Sequence, residues 1–209
     1  MKKLILVAAG ALLGTSSFAQ VSINPEFGVN FAKMPYEYGS INQPGEAITG
    51  LKGGVMIDFG LSKGFFFQPG VMFSIKGNKT TYSLLGVTTV TKTTIQNLEI
   101  PINLGYRCSF GKAGSAFATV GPYAGLGMSG KSKAESGGVS IEGDITFGDD
   151  AGDVKKLDYG VNFGLGYATP MGIYIRGQYG MGLANLSNVD NATSQNRVWS
   201  VSVGYAFAL

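Results

Sequence analysis

The residues in this chain whose types and spacing could do chemistry are charged side chains set among apolar ones. Lys52, Lys76, Arg107 and Arg176 are positive, and Asp58, Glu99 and Asp158 are negative. Two carboxylates such as Glu99 and Asp158 are the raw material of general acid–base catalysis. They are equally natural ion-pair partners, and pairing with Arg107 and Arg176 is the expectation, because a lone buried charge is expensive. Histidine is absent and cysteine occurs once, at Cys108. Ser-His-Asp and Cys-His catalysis, His-ligated zinc and an intramolecular disulfide are therefore excluded. Cys108 stands at an apolar position and reads as a small buried or lipid-facing hydrophobe, not a reactive thiol.

A second candidate is acidic. Asp149, Asp150 and Asp153, with Glu142 and Asp144 nearby, form an oxygen-rich cluster of the kind that binds calcium. Their spacing matches no EF-hand, and Lys155 and Lys156 adjoin them, so a solvated loop is expected. Asn191-Ala192-Thr193 fits a glycosylation acceptor pattern by chance. No catalytic residue, cofactor site or metal site is expected.

The elements that must position the charged residues alternate strictly. In Leu98 to Phe110, LEIPINLGYRCSF, Leu98, Ile100, Ile102, Leu104, Tyr106, Cys108 and Phe110 share one face. Glu99, Asn103 and Arg107 lie on the other, which is the pattern of a strand with one apolar and one polar face. The stretch exceeds the roughly 5–6 residues usual in soluble sheets and suits a tilted bilayer crossing of roughly 9–11. The apolar face is then set against lipid and the polar face inward.

The same reading applies to the other strands. Ile23, Phe27, Val29 and Phe31 oppose Glu26, Gly28 and Asn30. Leu51, Val55, Ile57, Phe59 and Leu61 oppose Lys52, Met56 and Asp58, and Phe65, Phe67, Val71, Phe73 and Ile75 oppose Phe66, Gln68, Met72, Ser74 and Lys76. Over Ala116 to Ser129 the register with Ala118, Val120, Ala124 and Leu126 outward is preferred, and the opposite register stays open. Leu157 to Ala168, Ile173 to Leu183 and Trp199 to Leu209 complete about eight strands.

Connections alternate between long polar loops (34–48, 77–91, 130–155 and 185–195), of which 77–91 is threonine-rich with strand extensions, and tight turns at Ser62-Lys63-Gly64, Gly111 to Ser115 and Pro170-Met171-Gly172. Sorting of loop length by parity is expected of an outer-membrane barrel, with short periplasmic turns and long external loops. In hydrocarbon every backbone N–H and C=O must be paired internally, so the first and last strands must join. The predicted fold is all-β: an eight-stranded antiparallel up-and-down transmembrane β-barrel, its interior filled by side chains. Inward glycines leave room for the arginines and for Phe66, Tyr123 and Tyr174.

Composition agrees. The chain has 209 residues, 33 of them glycine, and only 14% are charged. Residues 1–19 read as a secretory signal peptide. Lys2 and Lys3 form the positive region, Leu4 to Leu13 the apolar core, and Ser17-Phe18-Ala19 the cleavage site, leaving 20–209 as the barrel domain of a diderm bacterium. Beyond the leader no run approaches the roughly 18 apolar residues of a membrane helix. Net charge is +3 and falls to about +1 without Lys2 and Lys3, so no nucleic-acid partner is expected.

At LEIPINLGY (Leu98 to Tyr106), LKGGVMIDFGLSKGFFFQPGVMFSIKG (Leu51 to Gly77) and VGPYAGLG (Val120 to Gly127) the sequence resembles a known family. It is similar to the small outer-membrane β-barrel domain common in Bacteroidota, which includes PorT-like proteins, over essentially the whole mature chain. The resemblance implies an OmpX/OmpA-like barrel in the cell outer membrane with no shared active site. Many such barrels end in Phe or Trp for the insertion machinery, whereas this chain ends Tyr205-Ala206-Phe207-Ala208-Leu209.

The expected role is structural or adhesion-like, without catalysis. The expected partners are outer-membrane lipid, the barrel insertion machinery, and an external ligand or secretion-system partner met through the four loops, with the protein a monomer. The alternatives are a PorT-like component of a secretion system, a narrow channel, a membrane-embedded barrel enzyme and a soluble lipocalin-like binding barrel. The last needs the apolar face inside, against which inward Arg107 and Arg176 argue.

Overall fold

The computed structural model describes residues 20–84 and 86–209, so the expected secretory leader lies outside the described residues. Thirteen strands follow in order: β1 Val21–Lys33, β2 Tyr36–Tyr38, β3 Ile41–Gln43, β4 Ile48–Gly60, β5 Phe65–Leu84, β6 Val87–Ser109, β7 Ser115–Ser136, β8 Val139–Asp144, β9 Leu157–Ala168, β10 Ile173–Gly182, β11 Ala192–Ser194, β12 Arg197–Tyr205 and β13 Phe207–Ala208. Two one-turn 3-10 segments, Ser62–Gly64 and Gly111–Ala113, make tight turns, and the described residues contain no α-helix.

Eight strands form one antiparallel ring. β1 pairs with β4, β4 with β5, β5 with β6, β6 with β7, β7 with β9, β9 with β10 and β10 with β12. β12 then returns to β1, with Phe31 opposite Trp199, Val29 opposite Val201 and Phe27 opposite Val203. β13 continues along β1, setting Phe207 opposite Ile23. Closure removes the open edge that hydrocarbon would not tolerate.

Alternation sorts the two faces as expected. Phe27, Leu51, Val71, Ile102, Leu104, Val120, Phe163, Ile175 and Val203 are exposed on the outside. Glu26, Lys52, Asp58, Gln68, Lys76, Glu99, Asn103, Asp158 and Arg176 are buried within. In β7 the preferred register holds: Phe117 and Tyr123 are buried while Val120 and Leu126 are exposed. Cys108 is exposed on the outward face. Aromatic pairs mark both rims of the apolar band, with Phe65 and Tyr106 rings 5.0 Å apart at the turn end and Tyr179 and Trp199 4.8 Å apart nearer the loop end.

Four inward aromatic rings fit over glycines. Phe66 lies opposite Gly105, Phe117 and Tyr123 opposite Gly166 and Gly160, and Tyr174 opposite Gly204 on the neighbouring strand. A Cβ at Gly105, Gly166 or Gly204 would sit inside the facing ring, and one at Gly160 would press on Tyr123 at 2.8 Å. Glycine is therefore required there for close approach, not for backbone conformation.

The long-loop end departs from the sequence reading in three places. Residues 77–91 are sheet over more of their length than the strand extensions expected at a threonine-rich loop: β5 runs to Leu84 and β6 begins at Val87, with Lys79 opposite Lys92 and Thr80 opposite Thr91. The run of threonines is β-branched and favours extended backbone even outside the membrane. Residues 130–155 begin as sheet, because β7 continues to Ser136 and β8 folds back on it, Lys133 opposite Glu142. Loops 34–48 and 185–195 meet in a small three-stranded sheet in which β2 pairs with both β3 and β11. These loops also bring apolar side chains over the barrel mouth. Met34, Ile95, Ala184 and Leu186 form a buried cluster there, with Ile145, Phe147 and Val154 packed against it.

Candidate functional site

The lumen holds three polar clusters stacked along its axis. In the upper one, Lys76 Nζ lies 2.8 Å from Glu99 Oε1 and 2.9 Å from Asp158 Oδ2. Asn196 Nδ2 donates to Asp158 Oδ2 at 2.9 Å, and the Tyr123 hydroxyl donates to the same carboxylate at 3.3 Å. The ammonium sits 4.5 Å from the centre of the Tyr123 ring.

In the middle cluster Glu26 is the hub. Its carboxylate accepts from Ser202 Oγ at 2.8 Å and from the Tyr174 hydroxyl at 3.0 Å. Lys52 Nζ lies 3.5 Å away and Arg176 Nε 3.4 Å away. Above it, Asn30 donates to Ser74 Oγ at 2.9 Å and accepts from Ser200 Oγ at 2.9 Å, tying β1 to β5 and β12.

The lower cluster closes the turn end. Arg107 donates to Asp58 Oδ2 at 2.7 Å, and Gln68 Nε2 donates to Asp58 Oδ1 at 2.6 Å. Phe66, Phe117 and Tyr174 form a buried aromatic layer beside it. Arg107 lies 4.9 Å from the Phe66 ring centre and Arg176 5.4 Å from that of Phe117, both within cation–π range. Below this layer a cavity of about 460 Å³ opens at the turn end, lined by Asn24, Asp58, Arg107, Tyr174 and Arg176 among others.

The pairing differs from the sequence expectation. Glu99 and Asp158 do not pair with Arg107 and Arg176; both bind Lys76 instead. Lys76 is one strand away from Glu99, and its side chain reaches across the lumen to β9. The arginines take Asp58 and Glu26. Glu26, placed on the inward face but left out of the charge balance, supplies the fourth negative charge against four positive ones. Asn196 carried no signal, because it lies outside any recognisable strand. Glu99 and Asp158 each face a lysine within bonding distance, which makes them structural anions and not a free acid–base pair.

The acidic cluster is dispersed. Glu142 pairs with Lys131 at 2.6 Å across the β7–β8 hairpin, while Asp149, Asp150 and Asp153 lie in the connection beyond β8. Among the described residues no three carboxylates converge as a metal site would require. On the same hairpin Lys133 pairs with Glu135. The Lys131 hydrogen bond holds Glu142 below the usual carboxylate range, and Glu142 in turn raises Lys131.

No curated protein matches the sequence. Among solved structures, Neisserial surface protein A is 12% identical, with 90% of this chain and 99% of that chain covered and a TM-score of 0.49. OprG from Pseudomonas aeruginosa is 13% identical over 91% of this chain and 96% of that one, with a TM-score of 0.44. Ail, the attachment invasion locus protein of Yersinia pestis, is 14% identical over 90% and 99%, with a TM-score of 0.36. None of these likenesses carries over a ligand or partner. The model of the outer membrane protein beta-barrel domain family matches residues 17–188. Closed ring, outward apolar band and filled polar lumen agree with that match: the chain belongs to the outer membrane protein beta-barrel domain family and is an integral β-barrel of the outer membrane.

Proposed function

We propose that the protein is a non-catalytic surface protein that uses its outer sheet for adhesion-like contacts. The observation that carries this reading is the sheet of β5 to β8, which continues past the apolar band and ends in β8. Among the described residues β8 pairs only with β7, so its other edge is open, and Val139 and Ile141 on it are 64% and 70% exposed. An open strand edge with apolar side chains is a template for an added strand, and soluble proteins usually blunt such edges.

The test is adhesion of cells displaying the protein, comparing the wild type with Ile141→Pro and with a chain lacking residues 137–143. Loss of adhesion with normal surface display supports the reading. Unchanged adhesion by both displayed variants overturns it.

The narrower PorT-like kinship, and with it a place in a secretion system, rests on LEIPINLGY and the Leu51-to-Gly77 stretch. Deleting the protein and assaying secreted proteins separates the two readings. A secretion defect restored by the chain lacking residues 137–143 favours the secretion role.

A further inference from the structure

The cavity at the periplasmic end is not accounted for by surface adhesion. Two guanidinium groups and one carboxylate line it, Arg107, Arg176 and Asp58. The carboxylate is already engaged, by Arg107 at 2.7 Å and by Gln68 at 2.6 Å. Arg176 is 2% exposed, yet among the described residues its Nε has no hydrogen-bond partner. Its sole charge contact among the described residues, Glu26 at 3.4 Å, is longer than a good charge-assisted hydrogen bond. Phe117 and Tyr174 brace its guanidinium, with ring centres 5.4 and 5.7 Å away. Among the described residues Arg107 Nε is likewise unpartnered, as is the Oδ1 of Asn24, which also lines the cavity.

We propose that this periplasm-facing cavity binds a small oxyanion through Arg176 and Arg107. A buried donor without an acceptor is costly. Glu26 is shared between Arg176 and Lys52, so the middle and lower clusters together hold three cations against two carboxylates, although the lumen as a whole is balanced. An oxyanion would supply both the acceptor and the local charge, because a planar guanidinium matches carboxylate and phosphate oxygens geometrically. Asn24 Oδ1 is an acceptor, so it favours an oxyanion that carries a hydroxyl, as hydrogen phosphate does.

The experiment uses the full-length barrel folded in detergent micelles and follows the arginine Nε–H resonances during titration with inorganic phosphate. Acetate, in a parallel arm, tells whether phosphate or carboxylate is the group preferred. The expected result is a saturable shift of the Arg176 and Arg107 signals with at least one of the two anions. Arg176→Gln should weaken the response at Arg107 by about tenfold or more, and Arg107→Gln the response at Arg176. Lys92→Gln, on the outer sheet, should leave both unchanged. Absence of a saturable shift in the wild type with either anion overturns the proposal, whether or not the variants fold. So does an equal or larger shift of the Nε–H signal of Arg197, which does not line the cavity.

Discussion

Lys76 on β5 and Asp158 on β9 are joined across the lumen by a 2.9 Å ion pair between residues 82 apart in sequence. Two strands, β6 and β7, separate them around the ring, so the contact spans the interior and not a ladder. It sits under the apolar cluster of the outer loops, in a space where a charge without its partner is severely penalised.

Lys76→Met should therefore destabilise the barrel by about 3–5 kcal/mol, because it leaves two carboxylates facing each other without a cation. Adding Glu99→Gln and Asp158→Asn should recover part of that loss. Urea unfolding in lipid vesicles measures both. A Lys76→Met barrel as stable as the wild type would mean that the network does not hold the strands together.

The face assignment is tested by placing charge on the outside. Ile102 and Val203 are 44% and 54% exposed on the outer face, near the middle of their strands. Replacing either with Arg should cost about 2–4 kcal/mol in a bilayer, with no carboxylate to relieve it. Arg107→Leu strands the Asp58 carboxylate and should cost roughly 1–3 kcal/mol, toward the lower end because water reaches this half-open mouth. Arg107→Lys should be milder, since it keeps the charge and loses only the planar fork. Neutral behaviour of Ile102→Arg in lipid would invert the assignment.

The aromatic layer makes a steric prediction. Gly105→Val pushes the Phe66 ring off its seat and should destabilise by about 1–3 kcal/mol as an overpacked core does. Ala124→Val, on the outward face of β7, should change stability by less than about 0.5 kcal/mol. Near-equal effects in the same unfolding assay would show that the lumen yields where the packing says it does not.

The outer hairpin should respond to pH from both sides. Lys131 holds Glu142 below its usual range, so this contribution is complete above the unfolded value and disappears as pH falls through the depressed one. Glu142 raises Lys131, whose contribution disappears as pH climbs through that raised value. Amide protection factors over 131–144, exchange rates divided into the intrinsic rate at each pH, should be highest between these limits and fall in acid. A Glu142→Gln chain should lose the acid dependence. Retention of it would assign the effect elsewhere.

Transport follows from the filling. Gln68, Asn30, Asn103 and Met56 are each at most 2% exposed inside the ring, and the outer mouth is covered by Met34, Ile95, Ala184 and Leu186. Planar-bilayer recordings should show no large, stable, porin-like conductance. Such conductance would require the loop cluster to leave the mouth.

Much of this protein was legible in the chain because a membrane strand carries its orientation in a period of two. One residue decides the face of its neighbours, and a slip by one would put Arg176 in lipid and Ile175 in the lumen. The parity of loop lengths and the demand that every backbone group be paired then dictated a closed ring with turns at one end and loops at the other. The inward glycines are legible as room for Phe66, Tyr123 and Tyr174, while the strand pairing decides which glycine seats each ring.

The partners inside the ring were decided only by tertiary structure. Which acid meets which base depends on strand stagger and on side-chain reach across the lumen, and neither is written in local periodicity. Lys76 rather than an arginine therefore gathers Glu99 and Asp158, and Glu26 becomes the hub for Lys52 and Arg176. The extent of sheet at the outer end is not legible for a related reason. Thr80, Thr91 and their neighbours lack the apolar–polar contrast that lipid imposes, so periodicity indicates a threonine-rich loop with strand extensions but not how far the extensions run. Cross-strand pairing in water nonetheless carries β5, β6 and β7 beyond the membrane, and folding of the remaining loops over the mouth brings Met34 against Leu186.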